Sequence, residues 1–174
     1  MADLLFIAGF LATFIGYFVH TALHYSAHKR QTEKLSRGGE ALATIIIFIG
    51  YAGFGLMLAT DPMTLGRSGP VAIFGGIVGI SGVALFGAAV RSKQGFQETG
   101  GLVTTGVYSR LRHPMYLGIL LIHLGFPLLT DSVLTLLSAT LWAPQILLWK
   151  HWEDEELEER FGETYRKYRR QTFF

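Results

Sequence analysis

The segment Gly101–Gly118, with the sequence GLVTTGVYSRLRHPMYLG, places a dense group of polar and aromatic side chains in an otherwise apolar chain. The group combines basic and aromatic residues with two residues that bend the backbone: Arg112, His113 and Tyr116, with Gly106 and Pro114. An apolar run begins directly after it, at Met115. Polar residues at the edge of an apolar segment indicate a functional site at the membrane boundary. A water-soluble ligand and a lipophilic one could meet there.

The composition predicts an integral membrane protein. Of the 174 residues, 50% are hydrophobic and only 16% are charged, whereas a soluble domain carries about 25% charged residues. Several uncharged runs of roughly twenty residues are long enough to cross the hydrocarbon core. The chain has no cysteine, which excludes disulfides, thiolate metal sites and cysteine nucleophiles. No basic stripe with interleaved aromatic residues is present, so nucleic acid is not an expected partner.

The apolar segments predict one all-α domain, residues 1–174, with about five transmembrane helices. The predicted helices are Leu4–Ala27, Ala41–Thr60, Pro70–Val90, Met115–Leu129 and Val133–Trp149. The first is read as an uncleaved helix rather than a signal peptide, because bases follow it instead of preceding it. Residues 1–90 would form the anchor, and residues 91–174 would carry the chemistry. Gly75 and Gly79 on the third helix predict close helix packing within the chain.

The distribution of basic residues predicts the topology. Bases are concentrated after the first helix, in residues 91–112 and in the tail, whereas the loop at 61–69 has only Arg67 and the hairpin tip has none. This alternation places the N-terminus outside and the C-terminus in the cytoplasm. Residues 91–116 and 150–174 should therefore share one face. The tail is predicted to be an amphipathic helix that ends at Gly162, and its basic end would contact lipid headgroups.

Two motifs in a fixed order resemble a known family. The first is GxYxxxRHPxYxG, from Gly106 to Gly118, and the second is EDxxLxxxFGxxYxxY, from Glu153 to Tyr168, with an apolar hairpin between them. This arrangement is similar to the isoprenylcysteine carboxyl methyltransferase family, which groups with the phospholipid methyltransferases. The resemblance implies methyl transfer from S-adenosylmethionine to a lipophilic acceptor, with the cofactor held between the two motifs on the cytoplasmic side. The first three helices are similar only as membrane spans.

The family's functional positions can be transferred through these motifs. His113, Pro114 and Tyr116 match the cofactor-binding motif. Glu153 and Asp154 fall where the family usually has a pair of glutamates. Aspartate keeps the charge but shortens the reach, so Glu155 remains an alternative second acid.

The chemistry of S-adenosylmethionine suits the same region. A carboxylate such as Glu153 can bind the ribose hydroxyls or the ammonium group, while arginine or backbone amides can bind the carboxylate. Tyrosine rings can face the adenine or the sulfonium. The expected catalytic residues are Arg112, His113 and Glu153. The expected cofactor-binding residues are Leu102, Val103, Gly106, Tyr108, His113, Pro114, Tyr116, Glu153, Asp154 and Tyr165.

The acceptor remains open between a prenylated cysteine carboxylate, a phospholipid amine and a small thiol or lipid. A carboxylate acceptor needs no general base. An amine acceptor needs either a neutral amine or a base, for which Glu153, Glu155 and His113 are candidates.

Three other interpretations are possible. A sterol-type reductase has a similar HPxYxG-like segment, but it binds NADPH, whose extra phosphate calls for a basic pocket; the acidic tail disfavours it. Arg112 and His113 could serve only as an interfacial anchor, with Pro114 as the first residue of a helix. Finally, His20, His24 and His28 recur on one helical face, with His123 elsewhere. They could hold a metal or haem, make polar contacts within the membrane, or simply fill the interface; no metal site is expected.

Overall fold

The computed structural model describes residues 1–30, 37–64, 66, 69–93 and 101–174. Over these residues the chain is all-α, as predicted, and its only extended pairing is an isolated bridge between Leu111 and Phe173. The helices are α1 (Ala2–Arg30), α2 (Arg37–Thr60), α3 (Gly69–Ser92), α4 (Pro114–Thr130), α5 (Val133–Phe161) and α6 (Glu163–Gln171), with a 3-10 turn at Gly106–Ser109.

Four of these helices are long and apolar enough to cross a membrane, namely α1, α2, α3 and α5. Helix α4 is also apolar but has only 17 residues. At about 1.5 Å per residue it spans roughly 26 Å, less than the 30 Å of a typical hydrocarbon core. The protein is therefore an integral membrane protein with four clear candidate spans, and the fifth predicted span is a shorter helix.

Glycines let α3 and α4 approach closely along their length. A Cβ atom added at Gly82 would lie 2.7 Å from the carbonyl oxygen of Gly118, and one added at Gly75 would lie 2.6 Å from the nitrogen of Leu129. The predicted intrachain packing of Gly75 and Gly79 is thus confirmed, since both face α4. A similar seam joins α1 to α2, where Gly16 and Gly50 are in backbone contact. Small residues take this position because lipid gives no hydrophobic drive for helix association.

Helix α5 joins the α1–α2 pair to the α3–α4 pair, since it packs against α1, α2 and α4. The core at this junction contains Tyr17, Trp142 and Ile146, all fully buried. The Tyr17 hydroxyl lies 3.0 Å from Nε2 of His123, whose Nδ1 lies 2.9 Å from the carbonyl oxygen of Ile119. A carbonyl oxygen only accepts, so Nδ1 of the neutral ring donates and Nε2 accepts from Tyr17. This bond ties α1 to α4.

The predicted tail helix is not a separate element. Helix α5 continues without a break from Val133 to Phe161, and pairs such as Lys150–Asp154, four residues apart, support its polar end. Its 29 residues extend roughly 44 Å, longer than the hydrocarbon core. The charged part of α5 therefore projects beyond the membrane. The predicted break at Gly162 is confirmed, with φ of 53°.

At the opposite end of the bundle, Asp61 caps α5 from another part of the chain. Its Oδ2 accepts hydrogen bonds from the Thr135 amide at 2.7 Å and the Thr135 hydroxyl at 2.8 Å. The Val133 amide donates to the carbonyl oxygen of Met63 at 3.0 Å. These bonds satisfy amides that the first turn of a helix leaves open and fix the tip of the α4–α5 hairpin to the end of α2.

Candidate active site

The two sequence motifs meet at one end of the bundle. Nε2 of His113 lies 2.7 Å from Oδ1 of Asp154, and Lys93 at the end of α3 reaches Glu153 on α5. As predicted, these contacts bring the described residues of 91–116 to the same end of the bundle as residues 150–174. The cluster is built by the end of α3, residues 106–114, the polar end of α5, and α6.

Backbone geometry sets the position of His113. Gly106 has a φ of 61°, which favours glycine, and an added Cβ there would lie 2.5 Å from the Ser92 hydroxyl oxygen. The 3-10 turn that follows leads to His113 at the N-cap of α4 and Pro114 at its first position. Proline suits that position because its missing N–H would have no helical partner. Pro114 thus has the structural role considered above, and it also fixes where His113 emerges.

His113 is buried between two carboxylates. Nε2 contacts Asp154, and Nδ1 lies 3.5 Å from Oε2 of Glu153. Burial alone would lower the pKa of His113, but hydrogen bonds to Asp154 and Glu153, with their negative charges, raise it above the ordinary value of 6.5. The site therefore favours the imidazolium form. An imidazolium has no free acceptor nitrogen, so His113 is poorly suited to act as a general base.

Asp154 is a buried junction between several segments. Its Oδ1 accepts hydrogen bonds from His113 and from the Tyr165 hydroxyl, and its Oδ2 accepts one from Lys150 at 2.9 Å. Nε of Arg112 lies 3.7 Å from Oδ1. This carboxylate holds the RHPxY segment, α5 and α6 together.

The alternative second acid, Glu155, lies on a different face of α5. Its side chain is 45% exposed and lies 3.3 Å from Nε2 of His151. Asp154, directly after Glu153, is therefore the acid that joins the His113 cluster. The shorter aspartate side chain is long enough, because its Oδ1 lies 2.7 Å from Nε2 of His113.

Glu153 is the more open of the two carboxylates at His113. Its side chain is 27% exposed, and Oε1 lies 3.2 Å from Nζ of Lys93. The Tyr116 hydroxyl also interacts with this carboxylate, and the ring of Tyr116 stacks on His113 with centroids 5.7 Å apart. Nζ of Lys93 lies 5.6 Å from the ring centroid of Tyr108. Glu153 is consequently the carboxylate that a ligand can reach.

The C-terminal residues are hydrogen-bonded to the first motif. The Arg112 amide donates to the carbonyl oxygen of Phe173 at 3.0 Å, and the Phe173 amide donates to that of Arg110 at 2.9 Å. Nη1 of Arg112 donates to the carbonyl oxygen of Arg169 at 2.9 Å, close to the end of α6. The Tyr168 hydroxyl donates to the carbonyl oxygen of Tyr108 at 2.7 Å. The Nη1 group of Arg112 thus binds the C-terminal residues. Its Nε is buried without a hydrogen-bond partner.

Leu102 and Val103 are partly buried, and Leu102 lies in a separate groove. The groove has a volume of about 350 Å³ and runs between the loop before α4 and helix α6. Its lining residues are Leu102, Thr104, Ser109, Thr164, Lys167, Tyr168, Gln171 and Thr172. His113, Glu153 and Asp154 do not line it. The two tyrosines of α6 thus have different positions. Tyr165 contacts Asp154, and Tyr168 lines the groove.

The histidines considered as a possible metal or haem site, where they are described, contact different residues. The ring of His20 lies edge-on to Trp149 with centroids 4.6 Å apart, and His123 is bonded to Tyr17 deep in the bundle. The side chains of His24 and His28 lie outside the described residues. Among the side chains that are described, no group of three or more His, Asp or Glu residues is arranged to hold a metal ion.

Sequence reasoning missed Lys93 and Lys150 as members of this cluster. Lys150 could have been found from its spacing of four residues to Asp154 on a continuous helix. Lys93 carries no comparable signal, because 60 residues separate it from Glu153. The strand-like contact of Phe173 with the first motif was also not foreseen.

One family of known proteins matches the part of the chain that forms this cluster. The model of the phospholipid methyltransferase family matches residues 69–164, more than half of the chain. The chain belongs to the phospholipid methyltransferase family, as its motifs predicted. The match runs from the start of α3 into α6 and includes His113, Glu153 and Asp154. No curated protein and no solved structure matches the chain significantly, and nothing in the comparisons favours a reductase or a haem protein.

Proposed function

We propose that this protein uses S-adenosylmethionine to methylate a lipophilic acceptor at the cytoplasmic face of the membrane. The observation that best supports the proposal is the position of His113 between Glu153 and Asp154 at one end of a membrane bundle. Two motifs that are far apart in sequence form one polar cluster there. Membership in a family of methyltransferases supplies the reaction class.

The residues of the cluster fit the methyl donor. Glu153 offers a partly exposed carboxylate to the ribose hydroxyls or the ammonium group. Nε of Arg112 is buried and has no hydrogen-bond partner. Its N–H suits the carboxylate of S-adenosylmethionine. The ring of Tyr116, which is partly buried, suits the adenine or the sulfonium better than that of Tyr108, which is buried and already lies close to the Lys93 ammonium. Asp154 fits less well as a direct ligand, because its oxygens already bond to residues of the chain.

The chemistry required of the protein is modest. When bound, S-adenosylmethionine supplies a methyl group on a sulfonium, which is already activated for displacement. The chain has to hold and align the two reactants and exclude water. His113, held as an imidazolium, orients Glu153 and Asp154 rather than accepting a proton. Glu153 is also poorly suited as a base, because burial raises its pKa but the hydrogen bond from His113 and the charge of Lys93 lower it to about 2. Glu155 lies on another face of α5. An amine acceptor would therefore have to react in its neutral form.

The membrane position supports a lipophilic acceptor. Helix α3 ends at Ser92 and α4 begins at Pro114, so the cluster lies where apolar spans give way to polar residues. An acceptor dissolved in the bilayer would reach this boundary directly, while the donor would arrive from water. The excess of basic residues near the cluster indicates that this is the cytoplasmic side.

The direct test is a methylation assay. Purified protein in detergent is incubated with S-adenosylmethionine labelled on the methyl group and with a membrane lipid extract, and the labelled product is identified by mass spectrometry. We expect a labelled lipid, whose formation S-adenosylhomocysteine suppresses. Absence of any labelled lipid, together with absence of S-adenosylhomocysteine binding at millimolar concentration, would contradict the proposal. A nicotinamide fluorescence titration in parallel tests the reductase alternative, for which we expect no signal.

A further inference from the structure

We propose that Lys93 binds an oxyanion on the headgroup of the acceptor, either a phosphate or a carboxylate. This inference rests on the proposed function, because it names the part of the acceptor that the site would recognise. It assigns a role to a residue that belongs to neither sequence motif.

Lys93 stands where α3 leaves the membrane. It directly follows Ser92, the last residue of a candidate span, and its amide donates to the carbonyl oxygen of Ala89 at 3.0 Å. Gly82, Ala89 and Lys93 fall on one helical face, since they are seven and four residues apart. Gly82 and Ala89 are buried, and Gly82 packs against α4. The Lys93 side chain therefore continues the face of α3 that is turned toward α4 and the site.

Lys93 is also the most accessible of the cations that contact the acidic pair. Its side chain is 30% exposed, whereas that of Lys150 is 18% exposed and that of Arg112 is 13% exposed. Lys150 and Arg112 approach the buried Asp154. Lys93 approaches the partly open Glu153 at 3.2 Å and extends over Tyr108.

The chemistry of this pair suits an anionic headgroup. A lysine ammonium has three donors, and within the described structure the ammonium of Lys93 forms only one hydrogen bond, to Glu153. A partly exposed ion pair is weak and easily exchanged. Without the Lys93 charge, Glu153 would repel an incoming phosphate or carboxylate. Lys93 thus makes the acidic cluster compatible with an anionic acceptor at the membrane surface.

The test measures lipid binding without any methyl donor. Full-length protein in detergent is titrated by calorimetry with dihexanoyl phosphatidylethanolamine, with farnesylcysteine, and with dihexanoylglycerol, which has neither a phosphate nor a carboxylate. Loss of a charge-assisted hydrogen bond lowers affinity by about tenfold or more. We expect Lys93→Gln to lose at least about tenfold for the oxyanion probe that the wild type prefers, with dihexanoylglycerol unchanged and Lys93→Arg close to wild type. The preferred probe tells a phosphate headgroup from a carboxylate.

The control variant is Arg91→Gln, which removes an exposed base from the same end of α3. We expect it to bind all three lipids like the wild type. If Lys93→Gln does not purify as folded protein, Lys93→Met, which retains the apolar stem, takes its place.

Several outcomes would overturn the inference: no preference for an oxyanion probe in the wild type, an undiminished preference in Lys93→Gln, or an equal loss in Arg91→Gln. S-adenosylhomocysteine affinity is measured on the same variants, and in Lys93→Gln we expect it to fall less than the affinity for the oxyanion probe, because Lys93 contacts Glu153 but would bind the lipid directly. An equal loss there would mean that Lys93 only supports Glu153, and would also overturn it. A Lys93-dependent lipid preference in a protein that binds no S-adenosylhomocysteine would uphold the inference and contradict the proposed methyl transfer.

Discussion

The two acidic residues beside His113 have different environments, although they are adjacent in sequence. Asp154 is buried and accepts hydrogen bonds from His113, Tyr165 and Lys150. Glu153 is partly open and contacts Lys93. This difference explains how aspartate can stand where the sequence resemblance predicts a second glutamate. The position serves to join segments of the chain, and a short carboxylate reaches all of its partners.

Substitution of Asp154 should therefore affect the structure first. Asp154→Asn keeps the shape but leaves the charges of Lys150 and Arg112 without their buried partner. Breaking a buried ion pair in this way costs about 3–5 kcal/mol. We expect a lower thermal midpoint in detergent and faster tryptic cleavage among the basic residues of α6. The matched control is Glu155→Gln on the exposed face. Equal midpoints for the two variants would show that Asp154 is not a structural junction.

The raised pKa of His113 predicts a pH dependence of stability. The folded pKa lies above the unfolded value of about 6.5. The stabilisation from the charged ring is therefore fully present below about pH 6.5 and is lost as the pH rises through the folded pKa. We expect the thermal midpoint of the wild type to fall as the pH rises above about 6.5, and the midpoint of His113→Gln to change less. Parallel curves for the two proteins would contradict the assigned charge of His113.

At the scale of elements, the helices were predicted well because each is a long apolar run. Predicted and observed bounds of α2 agree at Thr60, and those of α5 agree at Val133. The predicted tail is helical as far as Phe161, but it is continuous with α5, because hydropathy changes at Trp149 while helix propensity does not. A change of solvent, from lipid to water, was thus mistaken for a change of element.

Substitution of an α3 glycine should destabilise the protein only where that glycine faces α4. A Cβ at Gly82 would collide with the backbone of Gly118 and Ile122, whereas one at Gly87 would meet nothing within 4 Å. In an exposed helix, alanine stabilises by roughly 0.5–1 kcal/mol relative to glycine. We expect Gly82→Ala to lower the thermal midpoint and Gly87→Ala to leave it equal or higher. The opposite order would show that α3 does not pack on α4 through this face.

At the scale of the whole molecule, the sequence predicted which motifs meet but not every residue that joins them. His113 and Glu153 were expected together because an apolar hairpin returns the chain to the same membrane face. Lys93 and Phe173 could not be predicted in the same way, because their contacts depend on how three separate segments pack. No local pattern marks such residues before the fold is known.

The central claim is that one pocket, shared by His113 and Glu153, binds the methyl donor. Calorimetric titration of purified protein with S-adenosylhomocysteine tests this most directly, with Glu153→Gln and Glu155→Gln as a matched pair. We predict binding to the wild type and to Glu155→Gln, and an affinity about 10- to 100-fold lower for Glu153→Gln, as expected when a charged hydrogen-bond partner is lost. Equal affinity for all three proteins, or no binding to any of them, would contradict the claim.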